Sequence, residues 1–140
     1  MSKLISNSEA ETRNFAASFA KKLHLPAFFC LYGDLGSGKT VFSKGFAEAL
    51  GLDPKTIKSP TYTFVRSYKI GKNYLYHFDF YRIQDLDDVM ARDLEEIFEQ
   101  KNAIILVEWP ERIMKLLPEK RIELFFEYKD LNTRFITVKK

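Results

Sequence analysis

"LYGDLGSGKT", residues 31–40, carries three glycines, a lysine and a threonine directly after the apolar run Phe28-Phe29-Cys30. Its last eight residues fit G-x-x-x-x-G-K-[S/T], a pattern that is typical of a phosphate-binding loop. Glycine permits positive φ angles and close backbone approach, so that successive N–H groups can surround an anion. We therefore predict that a nucleotide binds to Gly33-Asp34-Leu35-Gly36-Ser37-Gly38-Lys39-Thr40. Lys39 would reach the β- and γ-phosphates, and the Thr40 hydroxyl would bind Mg²⁺.

The segments on either side of this loop have the order that it requires. The preceding "FFCLY" is short, apolar and aromatic, as expected of a strand buried on both faces. The following "KTVFSKGFAEALG" repeats apolar residues at helical intervals and stops at Gly51. A strand, a glycine-rich loop and a helix in succession favour a bound nucleotide over a ligand-free turn.

Length and composition restrict the class of protein. The 140 residues predict one domain, 1–140, and 46% hydrophobic with 29% charged residues is typical of a globular protein. The single cysteine, Cys30, lies in the predicted core strand, which favours a buried thiol over a nucleophile and a reducing cytoplasm over an oxidising compartment. No signal peptide or membrane-spanning run is visible, so we expect a cytoplasmic protein with no membrane partner. The net charge of +3 permits contact with nucleic acid without arguing for it.

Periodicity along the rest of the chain predicts an α/β fold. Ser8-Glu9-Ala10-Glu11 has the pattern of a capping box that opens a helix. "SPTYTFVRSYKI" and "YLYHFDFYR" predict two antiparallel strands joined at "KIGKN", with the second ending at Asp79. An acidic amphipathic helix is predicted over 85–100, a buried strand at "AIILVEWP", and a terminal hairpin from "RIELFFEY" to "TRFITVKK". These elements predict a three-layer P-loop NTPase-like fold, with a central mixed sheet flanked by helices.

Acidic residues at two strand ends are candidates for catalysis. Glu108 follows the apolar strand Ile104–Val107, where it could bind Mg²⁺, hold a metal-bound water or orient the attacking water. Asp79 could assist the metal or the water, and alternation puts His77 on the same side of its strand. Arg82 could address phosphate or a partner's charge. A structural role at a polar strand edge remains the alternative for these residues.

Two further residues have open roles at this stage. Thr61, within Ser59-Pro60-Thr61, lies in a turn by default, but it could sense the γ-phosphate as a switch residue does. Trp109 either packs in the core or lies beside the nucleotide, and packing is the more usual role of a lone tryptophan.

Four motifs that occur in a fixed order favour a functional role for these residues. "GDLGSGKT", "KSPTYTFV", "YHFDFYR" and "LVEWPE" closely resemble the bacterial TsaE (YjeE) family over about residues 31–111. The resemblance implies an ATPase needed for the threonylcarbamoyl (t6A) modification of adenosine 37 in transfer RNAs that read codons beginning with A. It implies partnership with TsaB and TsaD, and DNA is not an expected partner. Whether tRNA is bound in the assembled complex stays an open question. It also implies that the loop binds ATP, that Thr40 and Glu108 hold Mg²⁺, and that Asp79 serves the catalytic or coupling site.

Other nucleotide-binding classes fit less well. A small GTPase needs an N-K-x-D segment, which is not in the sequence, and an ABC-type ATPase needs a signature segment and more length. A small-molecule kinase usually covers the phosphates with an arginine-bearing lid, for which the acidic helix is a poor candidate. A nucleotide-sensing adaptor that binds ATP without turnover is the non-enzymatic alternative.

Overall fold

The computed structural model describes residues 2–56 and 64–140. Its helices are α1 (Glu9–Lys21), α2 (Lys39–Ala49) and α3 (Asp88–Phe98). Its strands are β1 (Ser2–Ser6), β2 (Ala27–Tyr32), β3 (Val65–Ile70), β4 (Asn73–Asp79), β5 (Ala103–Glu108), β6 (Ile122–Tyr128) and β7 (Arg134–Lys139). Two 3-10 helical segments lie at Pro54–Thr56 and Pro110–Leu116.

The strands form one mixed sheet in the order β1-β7-β6-β2-β5-β4-β3. The central strand β2 is parallel to β5 and β6, and β4 is parallel to β5, whereas the pairs β3–β4, β6–β7 and β1–β7 are antiparallel. The carboxyl ends of β1, β2, β4, β5 and β6 therefore lie at one edge of the sheet. In open α/β sheets this is the edge at which ligands bind.

Alternation along β2 divides the core into two clusters on opposite faces of the sheet. Phe29 and Leu31 pack in one cluster with residues of α1 and α2. Phe28 and Cys30 pack in the other with Leu94 of α3. A sheet with α1 and α2 on one face and α3 on the other is the predicted three-layer α/β fold, and that prediction is confirmed.

Local capping explains where the helices begin. The Ser8 hydroxyl accepts a hydrogen bond from the Glu11 amide at 3.1 Å, which confirms the predicted start of α1. In a capping box the Glu11 carboxylate would accept a second hydrogen bond from the Ser8 amide. Here it accepts that bond from the Asn7 amide, one residue earlier. The acidic helix is shorter than predicted, because the Asp87 carboxylate accepts from the Met90 amide at 2.8 Å and so caps the first turn.

One strand was not predicted from the sequence. β1 has only five residues and no clear alternation, and it exists because it pairs along its length with β7.

Cys30 is fully buried, and burial raises the pKa of its thiol to about 12, so the predicted core thiol is confirmed. Within the two described ranges, no helix is both long and apolar enough to cross a bilayer.

Candidate nucleotide-binding site

Backbone conformation shows why glycines occupy the loop after β2. Gly33, Gly36 and Gly38 have φ angles of 146°, 79° and 109°, which L side chains rarely adopt. A Cβ at Gly33 would lie 2.7 Å from both the Phe126 carbonyl oxygen and the Ser37 hydroxyl. The loop therefore passes β6 at a distance that only glycine permits.

The start of α2 presents polar groups that suit an anion. Gly38 is the N-cap and makes no side-chain capping bond, so the first amides of the helix have no side-chain acceptor. The Ser37 hydroxyl is buried and, among the described residues, has no hydrogen-bond partner. The amides at this helix start, rather than the buried Ser37 hydroxyl, are the groups that suit a phosphate.

Lys39 is held inside the site rather than in solvent. Its side chain is only 4% exposed, and its ammonium donates to the Gly33 carbonyl. The same ammonium lies 4.2 Å from the centre of the Trp109 ring, a cation–π distance. Burial lowers the pKa of Lys39, and the nearby carboxylates of Glu108 and Asp79 partly offset this effect.

Sheet register brings the two candidate acids together. Asp79 and Glu108 are paired residues at the ends of the parallel strands β4 and β5. Just beyond that pair, the Phe80 amide donates to the Glu108 carbonyl at 3.1 Å. Leu75 and Leu106 lie in the core cluster with α1 and α2, and by alternation both acids point to that face as well. The predicted placement of Asp79 and His77 on one side of the strand follows from the same alternation.

His77 lies directly against Glu108. Its Nε2 is 2.5 Å from Glu108 Oε2, and both side chains are almost fully buried. The contact holds one oxygen of the carboxylate, and Glu108 itself lines the cavity. His77 is therefore placed to orient Glu108 rather than to react itself.

Asp79 is the more accessible of the two acids. Its Oδ1 accepts a hydrogen bond from the Tyr81 amide at 3.0 Å, because the chain turns sharply after β4. Burial raises the pKa of Asp79 most strongly, and the adjacent Glu108 raises it further. Two acids in one pocket, one of them with a perturbed pKa, are common at functional sites.

Trp109 packs in the core, the role that the sequence favoured, and it also borders the cavity. Its ring packs against the α3-side core cluster and against Tyr81, at 4.9 Å between ring centres, and it also covers Lys39. Its backbone has φ 58° and ψ 49°, and no other non-glycine residue in the described ranges has a positive φ. Such strain occurs most often beside functional sites, where the surrounding structure maintains it.

These groups surround one cavity of about 490 Å³ at the carboxyl edge of the sheet. One end of the cavity is lined by Lys39, Thr40, Asp79, Glu108 and Trp109. No group of three or more His, Cys, Asp or Glu within residues 2–56 and 64–140 could hold a metal by itself. The cavity instead offers the hydroxyl of Thr40 and the carboxylates of Asp79 and Glu108. These oxygens fit Mg²⁺, which usually takes one or two protein oxygens together with substrate phosphates and water.

Other predicted residues lie apart from the cavity or outside the description. Arg82 is exposed and does not line the cavity. Asp34 and Leu35 are exposed at the loop tip, and of these two only Leu35 borders the cavity. Thr61 lies in 57–63, outside the described residues, so its role stays a prediction.

Sequence reasoning missed several residues at the site. It assigned no role to Arg134, whose guanidinium donates to the Gly36 carbonyl of the loop at 3.2 Å. It also missed the residues at the start of α1 and in the β6–β7 turn that line the other end of the cavity. No local motif marks them, because only the strand order brings these segments to the loop.

The chain is similar to proteins of known family in both sequence and structure. The family model described as "Threonylcarbamoyl adenosine biosynthesis protein TsaE" matches residues 6–136. The chain is 37% identical to a Rickettsia typhi "tRNA threonylcarbamoyladenosine biosynthesis protein TsaE", over 96% of this chain and 92% of that protein. It is 36% identical to the Haemophilus influenzae protein of the same name, over 83% of this chain and 75% of that one. The crystal structure of Bacillus subtilis YdiB matches with a TM-score of 0.78 and 33% identity, over 98% of this chain and 83% of that chain.

Proposed function

This chain belongs to the TsaE family of threonylcarbamoyl adenosine biosynthesis proteins, and we propose that it is the Mg-dependent ATPase of that pathway. It would act in the cytoplasm with TsaB and TsaD and support turnover of their complex during t6A formation at adenosine 37 of tRNA. One observation carries the proposal. The phosphate loop and two carboxylates from adjacent strand ends line the same cavity.

The chemistry assigned to each residue follows from its position. Lys39 and the first amides of α2 would bind the phosphates of ATP, since both a cation and a helix N-terminus favour an anion. Thr40 and Glu108 offer the oxygens that would hold Mg²⁺, which neutralises phosphate charge when it is bound. Asp79, beside Glu108, would orient the attacking water.

The cations around the cavity support the need for a partner. Among residues 2–56 and 64–140, Lys39 and Arg134 are the only cationic side chains that line the cavity. Arg134 belongs to β7, on the opposite side of β2 from the two acids. A hydrolytic site of this kind gains from an arginine close to the γ-phosphate, which a neighbouring protein can supply. We therefore expect slow turnover by the isolated protein and marked stimulation by the TsaB–TsaD pair.

Phosphate release tests this proposal directly. Steady-state release from Mg-ATP is measured with the protein alone and with the TsaB–TsaD pair. An adaptor would release no phosphate under either condition, and a kinase would consume ATP only with its acceptor. An isolated protein that is fully active and unaffected by the pair would overturn the partner-dependent part of the proposal.

Two variants separate coupling from ATP binding. Asp79→Ala and Arg82→Ala should reduce the stimulation more than they weaken ATP binding, since neither residue is in the phosphate loop. Arg92→Ala is the matched control, because Arg92 is also an exposed arginine but lies on α3. Equal loss of stimulation in Arg82→Ala and Arg92→Ala would show that Arg82 has no specific role.

A further inference from the structure

The layer of the fold that contains α3 stops at the central strand β2. The core cluster on that side of the sheet includes residues of β2, β4 and β5 but, in the part of the chain that the structure describes, none of β1, β6 or β7. On the α1 and α2 side, by contrast, Leu4, Leu124 and Ile136 of these three strands lie in or against the core. The strands β6, β7 and β1 are therefore covered on one face only, and we call their uncovered side the open face.

Register and alternation identify the side chains of the open face. Since Leu4, Leu124 and Ile136 point to the core, their neighbours in sequence point the other way. These neighbours form three rows across the strands, namely Ile5, Phe135 and Glu127, then Lys3, Thr137 and Phe125, then Lys139 and Glu123. The second row continues to Tyr32 of β2.

Aromatic and aliphatic side chains on the open face remain accessible. Phe125 and Phe135 are only half-buried, and Ile5 beside Phe135 is 52% exposed. Phe125 stacks on Tyr32, with ring centres 4.7 Å apart and planes 8° from parallel. The solvent side of an antiparallel sheet is usually polar, so these side chains are unusual there. Flat rings on an open sheet are surfaces on which the unpaired bases of a nucleic acid can stack.

Cationic side chains lie among these rings. The ammonium groups of Lys3 and Lys129 are 4.3 and 5.3 Å from the centre of the Phe135 ring. Lys139 lies on the same face near the end of β7. A single strand of nucleic acid presents phosphates and bases together, and proteins bind it with cations and aromatic rings side by side.

The two acids of the open face do not cancel this charge. The Glu123 carboxylate accepts from the Tyr32 hydroxyl at 2.6 Å and from Arg121 Nε at 3.3 Å, so its charge is compensated within the protein. Glu127 is exposed and faces three lysines. The open face is therefore net cationic. The exposed residues of α3, on the same side of the sheet, are mostly acidic and would repel phosphate.

The open face is separate from the nucleotide cavity. Arg134 precedes Phe135 on β7 and points to the other side of the sheet, where it donates to the Gly36 carbonyl of the phosphate loop. None of the open-face residues named above lines the cavity. A ligand on the open face and a nucleotide in the cavity can therefore be bound at the same time.

We propose that the open face binds a single-stranded segment of RNA, with Lys3, Lys129 and Lys139 contacting phosphates and Phe135 stacking on a base. RNA is chosen over DNA because the proposed function concerns a tRNA modification. The binding itself does not depend on ATP hydrolysis.

Salt dependence tests the phosphate contacts. Fluorescence anisotropy of a labelled single-stranded RNA is measured on the full chain, with and without Mg-ATP. Contacts from three lysines predict that log K falls against log salt concentration with a slope of about −2, and Lys3→Ala and Lys129→Ala should each reduce that slope by about 0.7. Lys44→Ala is the control, because Lys44 is exposed on α2 and should leave the slope unchanged.

Removal of a ring tests the stacking contact. Phe135→Leu keeps an apolar side chain, so the fold should survive, and thermal melting checks this. The variant should bind the RNA at least about fivefold more weakly with an unchanged salt slope, since a stacked base and not a phosphate contact is lost. Tyr128→Leu is the matched control, because Tyr128 is 58% exposed but alternates to the opposite face of β6.

Four results would overturn the RNA site. They are no binding at low salt, equal losses in Phe135→Leu and Tyr128→Leu, preference for an RNA duplex, and displacement of the probe by Mg-ATP, which would locate the RNA in the nucleotide cavity. A Phe135→Leu variant that binds RNA normally but loses TsaB–TsaD, or loses a dimer seen by light scattering, would make the open face a protein interface and would also overturn the proposal. RNA binding without phosphate release from ATP would overturn the proposed function alone.

Discussion

Replacement of Lys39 by alanine tests the phosphate loop most directly. The Lys39 ammonium is 4% exposed and lies between the Gly33 carbonyl and the Trp109 ring, so it is already positioned and largely dehydrated. Loss of a charge-assisted contact to phosphate should cost about 1.5–3 kcal/mol, or roughly ten- to a hundredfold in affinity. We expect the upper part of that range. Without Lys39, none of the described residues would place a cation beside Asp79 and Glu108 in this cavity.

The fold should tolerate this change. Burial lowers the pKa of Lys39, which means that the fold disfavours its charged form rather than depending on it. Thermal melting by circular dichroism checks that the variant is folded before binding is measured.

Calorimetric titration with Mg-ATP then provides the affinity. Lys44→Ala is the matched control, because Lys44 lies on the same helix but is exposed. The control should bind ATP as the unaltered protein does. Unchanged affinity in Lys39→Ala, or an equal loss in Lys44→Ala, would refute the assignment of the loop.

Three further outcomes are expected. Glu108→Gln keeps the size and the acceptor oxygen but loses the charge, so ATP should stay bound while phosphate release falls at least about tenfold. Full activity in this variant would mean that Asp79, and not Glu108, handles the metal or the attacking water. Asp79→Asn should slow hydrolysis yet raise the melting temperature at neutral pH. The folded-state pKa of Asp79 is raised, so the stability contributed by this group falls as pH rises through that pKa. The gain should therefore shrink as the melts are repeated at lower pH, and a gain independent of pH would contradict the reasoning. Cys30, with a pKa of about 12, should be about one ten-thousandth thiolate at pH 8, so a chromogenic disulfide should react with it only after denaturation.

The glycine-rich loop between β2 and α2 could be predicted because its residues are contiguous in sequence. Eight adjacent residues carry the glycines, Lys39 and Thr40, and the strand before them and the helix after them are recognisable from periodicity alone. The three layers followed from the alternation of such elements. Glu108 and Asp79 could be predicted as candidates because each ends an apolar strand, but not as register partners.

The rest of the site depends on contacts between segments far apart in sequence. His77 meets Glu108 only because β4 and β5 are parallel neighbours in a particular register. Arg134 meets Gly36 across 98 positions, and it does so because β6 lies beside β2 and β7 beside β6. β1 was missed for the same reason, since its pairing with β7 and not its own composition makes it a strand.

The burial of Glu108 favours a functional site over a purely structural one. Every residue of β5 is buried, and an apolar side chain at its last position would suit the core without a partner. A carboxylate there needs compensation, which the structure provides through His77 at 2.5 Å and the nearby Lys39. A purely structural contact between His77 and Glu108 would not also require the raised pKa of Asp79 or the strained backbone of Trp109 at the same cavity. These features each oppose stability, and they have a common explanation if the cavity receives a phosphate-bearing ligand with its metal ion.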